Sequence, residues 1–377
     1  MPPRHVVIAD PDSKRWRDYQ RELHAFWRER GEAAEVAVVS WRELVLQQGD
    51  LDHLAAFDSP AAVRLESYGR DFEVAKMLLH IGARSSPDDR DSDWLGLAPR
   101  KGWLARPGLQ ERGFAHVLRG LKQAFDQRPH LRISACPLAV LAMFDKTATS
   151  RRLVAAGLAT PPTLPPPASP LELLDELRQS RWRTAYVKLN ASAAAMGIVV
   201  VHPLDPVPWG VSSMVRIDGE WHNTRRLQRL EGDELHAALA FLLREGCFIQ
   251  QGVPLARVDG HHFDVRVVVL NGEPAFTVFR LSTGPMTNLH LGGRRGDHDR
   301  CRSAIPTRHW LDALDLCAEA ARLVRSDVVG VDVVFDRDSL RPSLLELNAF
   351  GDFFPGLVDA QGRSIHRREI EALAGGD

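Results

Sequence analysis

V-G-V-D-V-V-F-D-R-D-S-L-R-P-S-L-L-E-L-N, residues 329–348, is the stretch whose reading decides the fold. Val329 to Phe335 is β-branched and apolar with one charge, Asp332, inside it. Ser343 to Asn348 is apolar and ends in Glu346 and Asn348, and Asp336 to Pro342 supplies turn chemistry between the two runs. Two antiparallel strands follow. The strand period of two puts Glu346 and Asn348 on one face. A register centred near Ser339 sets Asp332 opposite Glu346, and like charges facing each other on a sheet repel. Such a pair either holds a positive species between its members or consists of polar strand ends in water. Hard oxygen ligands on adjacent strands, with an amide beside them, suit Mg²⁺ carried by nucleotide phosphates.

The rest of the chain bounds this reading. Its 377 residues allow two or three domains, and 44% apolar with 26% charged residues is ordinary for a globular protein. A net charge of −1 gives no whole-chain attraction to nucleic acid or an anionic membrane, so neither is expected as partner. Cys136, Cys247, Cys301 and Cys317 are scattered without metal spacing, as reduced thiols in a cytoplasmic protein would be. A strand almost at the N-terminus leaves no room for a signal peptide. No apolar run approaches the roughly 20 residues of a membrane span.

His5 to Asp10 reads as a buried strand, followed by an amphipathic helix through about Arg30. Trp16, Leu23, Phe26 and Trp27 mark the core side of that helix, and Gly31 stops it. Ala34 to Ser40 is a second strand and Trp41 to Gln48 a short helix, a spacing that implies a parallel α/β sheet. No G-x-G-x-x-G follows the first strand, so a dinucleotide fingerprint is absent. Phe72 to Gly82 and Leu109 to Gln127 read as helices and Leu131 to Cys136 as a strand. Ser85 to Gly108, with Trp94 and Trp103, reads as a mobile surface insertion, a substrate cover being the alternative. Thr160 to Pro170 is a semi-rigid connector. Thr184 to Leu189 is a strand holding Lys188, followed by N-A-S-A-A-A-M-G and a second strand, I-V-V-V. Met214 to Ile217 and Trp221 to Arg226 read as short strands, Asp233 as the N-cap of a helix ending at Gly246, and Cys247 to Gln251 as a strand.

Phe263 to Leu281 is a hairpin around Asn271-Gly272, with Asp264 and Arg266 on one face. A plain two-residue turn sends Arg280 to the opposite face, whereas a three-residue loop with a glycine bulge brings it to the same one. Ser282 to Asp299 is a polar loop, Thr307 to Ser326 a helix, and a last helix lies near His366 to Leu373. A lysine inside an apolar strand needs an anion. Lys188, Arg266 and Arg280 opposite Asp332 and Glu346 form the kind of set that holds a triphosphate. Neither a P-loop nor a kinase signature set is present.

D-K-T-A-T at 145–149, V-K at 187–188, F-I-Q-Q at 248–251, D-V-R at 264–266, Arg280, N-L-H-L-G-G at 288–293, G-V-D at 330–332 and E-L-N at 346–348 come in a telling order. This order resembles the ATP-grasp superfamily of carboxylate–amine ligases. It is most similar to the branch that contains the ribosomal protein S6 glutamate ligases. The resemblance implies an α/β (α+β) protein, with an N-terminal parallel α/β domain over 1–140. A central lid subdomain over 141–250 and a C-terminal subdomain over 251–377 would clasp ATP. It implies that Lys146 and Lys188 contact the phosphates and that Gln250 and Gln251 meet adenine, largely through backbone groups. Asp332, Glu346 and Asn348 would hold one or two Mg²⁺ ions, with Mn²⁺ as a substitute. Arg266 and Arg280 would bind the γ-phosphate and the acyl phosphate with Asn288 beside them, which makes the bulged hairpin the expected register. The implied reaction joins a carboxylate to an amine, on small molecules or peptides, through an acyl phosphate.

Two departures stand out. The segment after Lys188 keeps only Gly197 where the family is glycine-rich, and the tail after Asn348, A-F-G-D-F-F-P-G-L, is long. Phe350, Phe353 and Phe354 read as acceptor-pocket lining or as core. A weakly catalytic ATP-binding module acting through a protein partner, and a kinase acting on a small molecule, are the alternative functions; a homodimer is compatible with either. His261-His262, His290 and His298 fit no zinc spacing. Arg294-Arg295 reads as a contact for phosphate or acidic peptide groups, or as a solvated loop.

Overall fold

The structure, a computed structural model, describes residues 4–69, 71–192, 195–351 and 354–374. Among these residues the strands form three sheets. The first is built from β1 (His5–Ala9), α1 (Lys14–Arg28), β2 (Val36–Ser40), α2 (Trp41–Leu46), β3 (Ala61–Leu65), α3 (Phe72–Ala83), α4 (Pro107–Asp126) and β4 (Leu131–Ile133). Its order is β2-β1-β3-β4 and every pair is parallel. Trp16, Leu23, Phe26 and Trp27 are buried, as the α1 periodicity predicts, and Tyr19 is buried with them. The strand that pattern reading misses is β3, whose run A-A-V-R-L carries an arginine.

After α5 (Pro137–Phe144) and α6 (Lys146–Ala155) comes the second sheet. It contains β5 (Thr163–Leu164), α7 (Pro170–Gln179), β6 (Ala185–Leu189), β7 (Ile198–His202), β8 (Trp209–Ile217), β9 (Glu220–Glu231), α8 (Gly232–Glu245) and β10 (Cys247–Gln251). It is antiparallel, in the order β5-β10-β6-β7-β8-β9. The proline-rich connector supplies β5 as an edge strand, where a missing N–H is tolerated. Strands β8 and β9 run longer than the two short runs expected. Asp233 is not the cap of α8: Glu231 holds that position without a side-chain cap, and Asp233 lies in the first turn. Acidic residues there still favour the helix dipole.

The stretch Ser85 to Gly108 is not a free insertion. The Leu104 N–H donates to the Trp221 carbonyl at 2.9 Å and the Asn223 N–H to the Gly102 carbonyl at 2.6 Å. Leu104 is buried in the core beneath α7 and α8, and Arg106 pairs with Glu245 at 3.0 Å. The segment straps the first unit to the edge of the second sheet, because its unpaired backbone groups find partners on β9.

The third sheet comprises β11 (Arg257–Val258), β12 (His261–Leu270), β13 (Glu273–Ser282), β14 (Arg294–Arg295), β15 (Val328–Phe335) and β16 (Pro342–Asn348), with helices α9 (His298–Ser303) and α10 (Thr307–Arg322). Its order is β14-β13-β12-β15-β16, with β11 paired to β12. Strand alternation divides its faces. Val265, Val267, Val331, Val333 and Leu344 pack with Ala313, Cys317 and Ala321 of α10. The opposite face carries Asp264, Arg266, Arg280 and Asp332. The final helix, α11 (Ile365–Ala374), leaves this sheet and packs on α1, where Ile370 joins Tyr19 and Leu23. All four cysteines are free. No helix among the described residues is long and apolar enough to cross a membrane.

Candidate active site

Two register defects build the site. The turn between β12 and β13 is the plain two-residue one, with Leu270 facing Glu273. By itself it would turn Arg280 away from Arg266. Ala275 is an extra residue opposite the Val268/Val269 step, and beyond it Asp264 faces Arg280. Both arginines therefore share a face, through a bulge inside β13 and not through the expected three-residue loop. In the second pair Asp332 faces Glu346 and Gly330 faces Asn348, as the centred register predicts. Further out the register slips by one, leaving Leu345 as the extra residue. This slip lets Leu344 and Leu347 both enter the core while Glu346 stays beside Asp332.

Between the second and third sheets lies a cleft of about 950 Å³. Every site residue nominated from the sequence lines it: Lys146, Lys188, Gln250, Gln251, Arg266, Arg280, Asn288, Asp332, Glu346 and Asn348. At its floor the charges alternate. Arg266 grips Asp332 through Nε and Nη2, the latter at 3.0 Å. Arg280 donates to Asp264 from Nε at 2.8 Å and from Nη2, and its Nη2 also lies 3.0 Å from Asp332. Burial works to raise the Asp332 pKa, but Arg266 and Arg280 outweigh it and hold the group well below the usual carboxylate range. For Asp264 burial wins over Arg280, and its pKa is raised. Gly330 makes room for this arrangement: a Cβ there would meet the Gly351 carbonyl at 3.1 Å and Arg266 Nη1 at 3.2 Å.

The opposite wall carries the lysines. Lys188, 8% exposed, lies 3.2 Å from Gln250 Oε1 and over the Tyr186 ring at 5.4 Å. Burial pushes its ammonium below the ordinary lysine value, and Glu346 pulls in the other direction. Lys146 opens α6 and donates to the Ser192 carbonyl at 2.9 Å. The expected backbone contact of Gln251 cannot use its N–H, which donates to the Pro162 carbonyl at 2.8 Å. The Gln250 side chain reaches the cleft instead.

The segment after Lys188 is anchored in a way the sequence does not announce. Asn190 Oδ1 accepts from the Thr147 N–H at 3.0 Å and its hydroxyl at 2.8 Å, and Asn190 Nδ2 donates to Asp145 at 3.0 Å. Gly197 is left-handed (φ 63°), and a Cβ on it would fall 2.3 Å from Leu189 Cδ1. Ala193 and Ala194 lie outside the described residues. Asp264, Tyr186 and Asn190 are site residues that sequence reasoning left without a role. Only Asp264 carried a signal, its shared face with Arg266.

The residues that would hold a metal have donors to spare. A carboxylate offers about four lone-pair sites, and Arg266 and Arg280 occupy three positions on Asp332. Glu346 accepts no hydrogen bond among the described residues. Asn348 Nδ2 is buried without a hydrogen-bond partner among the described residues, and rotating the amide would present its oxygen instead. Hard oxygen donors in this state fit a divalent cation. No cluster of three or more His, Cys, Asp or Glu side chains placed to hold a metal occurs among the described residues.

The cleft opens into a second chamber of about 1130 Å³, walled by Arg15, Ser67, His290, Arg295, Phe350 and Phe354 beside Arg266, Arg280 and Glu346. Phe350 belongs to the core as well as to this wall, set against Phe144 at 6.2 Å. Phe353 lies outside the described residues.

The chain has the fold of the ATP-grasp ligases. PsnB, an ATP-grasp ligase solved with a minimal precursor, is similar with a TM-score of 0.54 at 17% identity, over 99% of this chain and 98% of that one. D-cycloserine synthetase DcsG gives 0.54 at 14%, over 98% of both chains. The macrocyclase MdnC from Microcystis aeruginosa MRC, bound with precursor peptide MdnA, gives 0.54 at 11%, over 99% of this chain and 100% of that one. PsnB is also known with its minimal precursor, Mg and ADP, at a TM-score of 0.51 and 18% identity, over 98% of this chain and 96% of that one. No protein-family model and no curated protein matches the sequence.

Proposed function

We propose that this protein is an ATP- and Mg²⁺-dependent ligase that joins a carboxylate to an amine. The observation that carries the reading is the meeting of Lys146, Lys188, Arg266 and Arg280 with Asp332, Glu346 and Asn348 in one cleft. Lys146 and Lys188 bind the phosphates of ATP, and Gln250 and Gln251 border its adenine. Asp332, Glu346 and Asn348 hold Mg²⁺, which when bound neutralises phosphate charge. Arg266 and Arg280 sit where charge develops during phosphoryl transfer. A substrate carboxylate oxygen attacks the γ-phosphorus and ADP leaves. The amine nitrogen then attacks the acyl carbon, phosphate departs and the nitrogen loses a proton. Asn288 stands at the mouth between cleft and chamber, suited to orient the acyl phosphate. No covalent nucleophile is needed, since positioning and electrostatics supply the catalysis. Within the fold, the motif order favours the branch of the S6 glutamate ligases. The domain limits near 140 and 250 belong to the same proposal. ADP release from a mixture of carboxylates and amines, compared with that of Glu346→Gln, tests the reading: equal rates would sink it.

A further inference from the structure

We infer that Asn190 is a positioning residue for nucleotide binding: its amide fixes Lys146 and Lys188 at the spacing that a run of phosphates bridges. The inference rests on the ligase reading above. Asn190 lies two residues past Lys188, where the chain leaves β6. Its Oδ1 accepts from the Thr147 N–H at 3.0 Å and from the Thr147 hydroxyl at 2.8 Å. Its Nδ2 donates to Asp145 Oδ1 at 3.0 Å and lies 3.5 Å from Glu111 Oε1 of α4. A side-chain amide has two lone pairs and two N–H donors, so all four are engaged. The backbone of Asn190 is engaged too. Its N–H donates to the Gly246 carbonyl at 3.0 Å, and its carbonyl accepts from the Lys146 N–H at 3.3 Å. One residue thus joins the segment after Lys188, the start of α6 and the first unit.

What this tie holds is a pair of like charges. Burial is the chief cause that lowers the Lys188 pKa, and Lys146 pushes it the same way. With no anion between them the two ammonium groups repel. Lys188 is fixed by its strand, which pairs it with Phe248 and Ile198. The Lys146 ammonium is fixed differently: its Nζ donates to the Ser192 carbonyl at 2.9 Å and lies 3.5 Å from the Asn190 carbonyl. Carbonyls orient an ammonium without cancelling its charge, and two of them leave a third donor for a ligand. Both carbonyls belong to the segment that Asn190 anchors, so the anchor sets where that ammonium stands. Between Lys188 and Ile198 the segment has one glycine, Gly197, and little of the backbone freedom that would let it close on a phosphate unaided. A side chain does the fixing in its place. An amide suits the position because a carboxylate there would stand against both Asp145 and Glu111.

Calorimetric titration of the full chain with the β,γ-imido analogue of ATP and Mg²⁺ tests this, in a double-mutant cycle over Asn190→Ala and Lys146→Ala. Each single variant is expected to bind at least about tenfold more weakly, the scale of one charged hydrogen bond. The double variant is expected to bind no more weakly than Lys146→Ala alone, because Asn190 acts through that lysine. A tie that served stability alone would lower the melting temperature and leave the affinity where it was. Unweakened binding by either single variant, or losses that add in the double one, overturns the inference. Should Asn190→Ala fail to fold, Asn190→Asp takes its place in the cycle with the same outcomes. That variant is nearly isosteric, keeps both contacts to Thr147 and loses the donation to Asp145. Failure of the unaltered chain to bind the analogue with Mg²⁺ would instead sink the ligase reading, and this inference with it.

Discussion

Arg64, Glu66 and Glu369 on one side of the molecule, and Asp264, Arg266, Arg280 and Asp332 on the other, are both buried chains of alternating charge. In the first, Arg64 of β3 donates to Glu369 of α11 at 2.8 and 3.0 Å and to Glu66. Arg15 and the Ser67 N–H complete Glu66, each at 3.0 Å. His366 lies 3.4 Å from Glu369, and the Tyr19 ring covers Arg64 at 4.3 Å. These charges are spent on one another, and what they fasten is the C-terminal helix to the first sheet. The second chain is spent only in part. Beside it, among the described residues, the Asn348 amide nitrogen has no partner, and Lys188 faces it with a destabilised charge. Buried charge by itself therefore does not mark function. Buried charge with unmet capacity on the wall of a cleft does.

The sharpest way to break this comparison is to remove one member from each side. Glu369→Ala leaves Arg64 buried without its partner and should cost about 3–5 kcal/mol of stability, read by denaturant titration, with ADP release per folded molecule unchanged. The first cluster should also fail first in acid. Burial acts to raise Glu66, but Arg15 and Arg64 outweigh it and hold it at about 2, and Glu369 is likewise lowered. A depressed carboxylate lends stability that is present above its ordinary value of 4.5 and is lost as pH falls through the folded value. Melting temperature should thus drop between about pH 4.5 and 2, and Glu369→Gln should flatten that drop.

Glu346→Gln should do the reverse of Glu369→Ala. No side chain among the described residues depends on its carboxylate for a hydrogen bond, so the melting temperature should hold while ADP release falls about 10²–10³-fold, the scale of a lost electrostatic contact. A variant that melts early and keeps its rate would reassign Glu346 to structure.

Leu104→Ala tests whether the strap matters to the second sheet. Removing a buried leucine should cost about 2–5 kcal/mol. Hydrogen exchange should show the loss as opening of β9 and α8 and not of β12 or β15. Uniform loosening of all three sheets would mean that the strap couples the whole molecule.

The smallest effect expected is one of pH. Phosphate favours protonated Lys188, whose pKa lies below the ordinary 10.5. Affinity for a non-hydrolysable ATP analogue should therefore weaken, about tenfold per pH unit, beginning below that ordinary value. Lys188→Arg, whose guanidinium stays charged, should bind without this alkaline limb. An unchanged limb in the variant would assign the titration to another group.

Much of this was legible in the chain. The β15–β16 pair and its Asp332–Glu346 register follow from β-branched runs, a turn between them and a period of two, all local properties. The order of short motifs led to the fold. The α1 aromatic stripe identified its own core. What escaped had partners far away. Arg64 made β3 unreadable as a strand, because its salt-bridge partner Glu369 lies 305 positions along the chain. The strap has no periodicity, and its backbone is satisfied by β9.

The sequence alone determined which residues alternate, where strands turn and which charges must be answered. Those choices depend on side chains a few positions apart and on backbone dihedrals. The sequence led to Arg280 on the face of Arg266, but the tertiary structure alone decided where the bulge lies, at Ala275 inside β13, beyond which Arg280 faces Asp264. It alone decided that Arg295 would stand beside Arg280, that Asn190 would tie the segment after Lys188 to α6, and that the last helix would return to the first sheet. Each is a contact between distant segments, and its free energy exists only once the sheets have closed on one another.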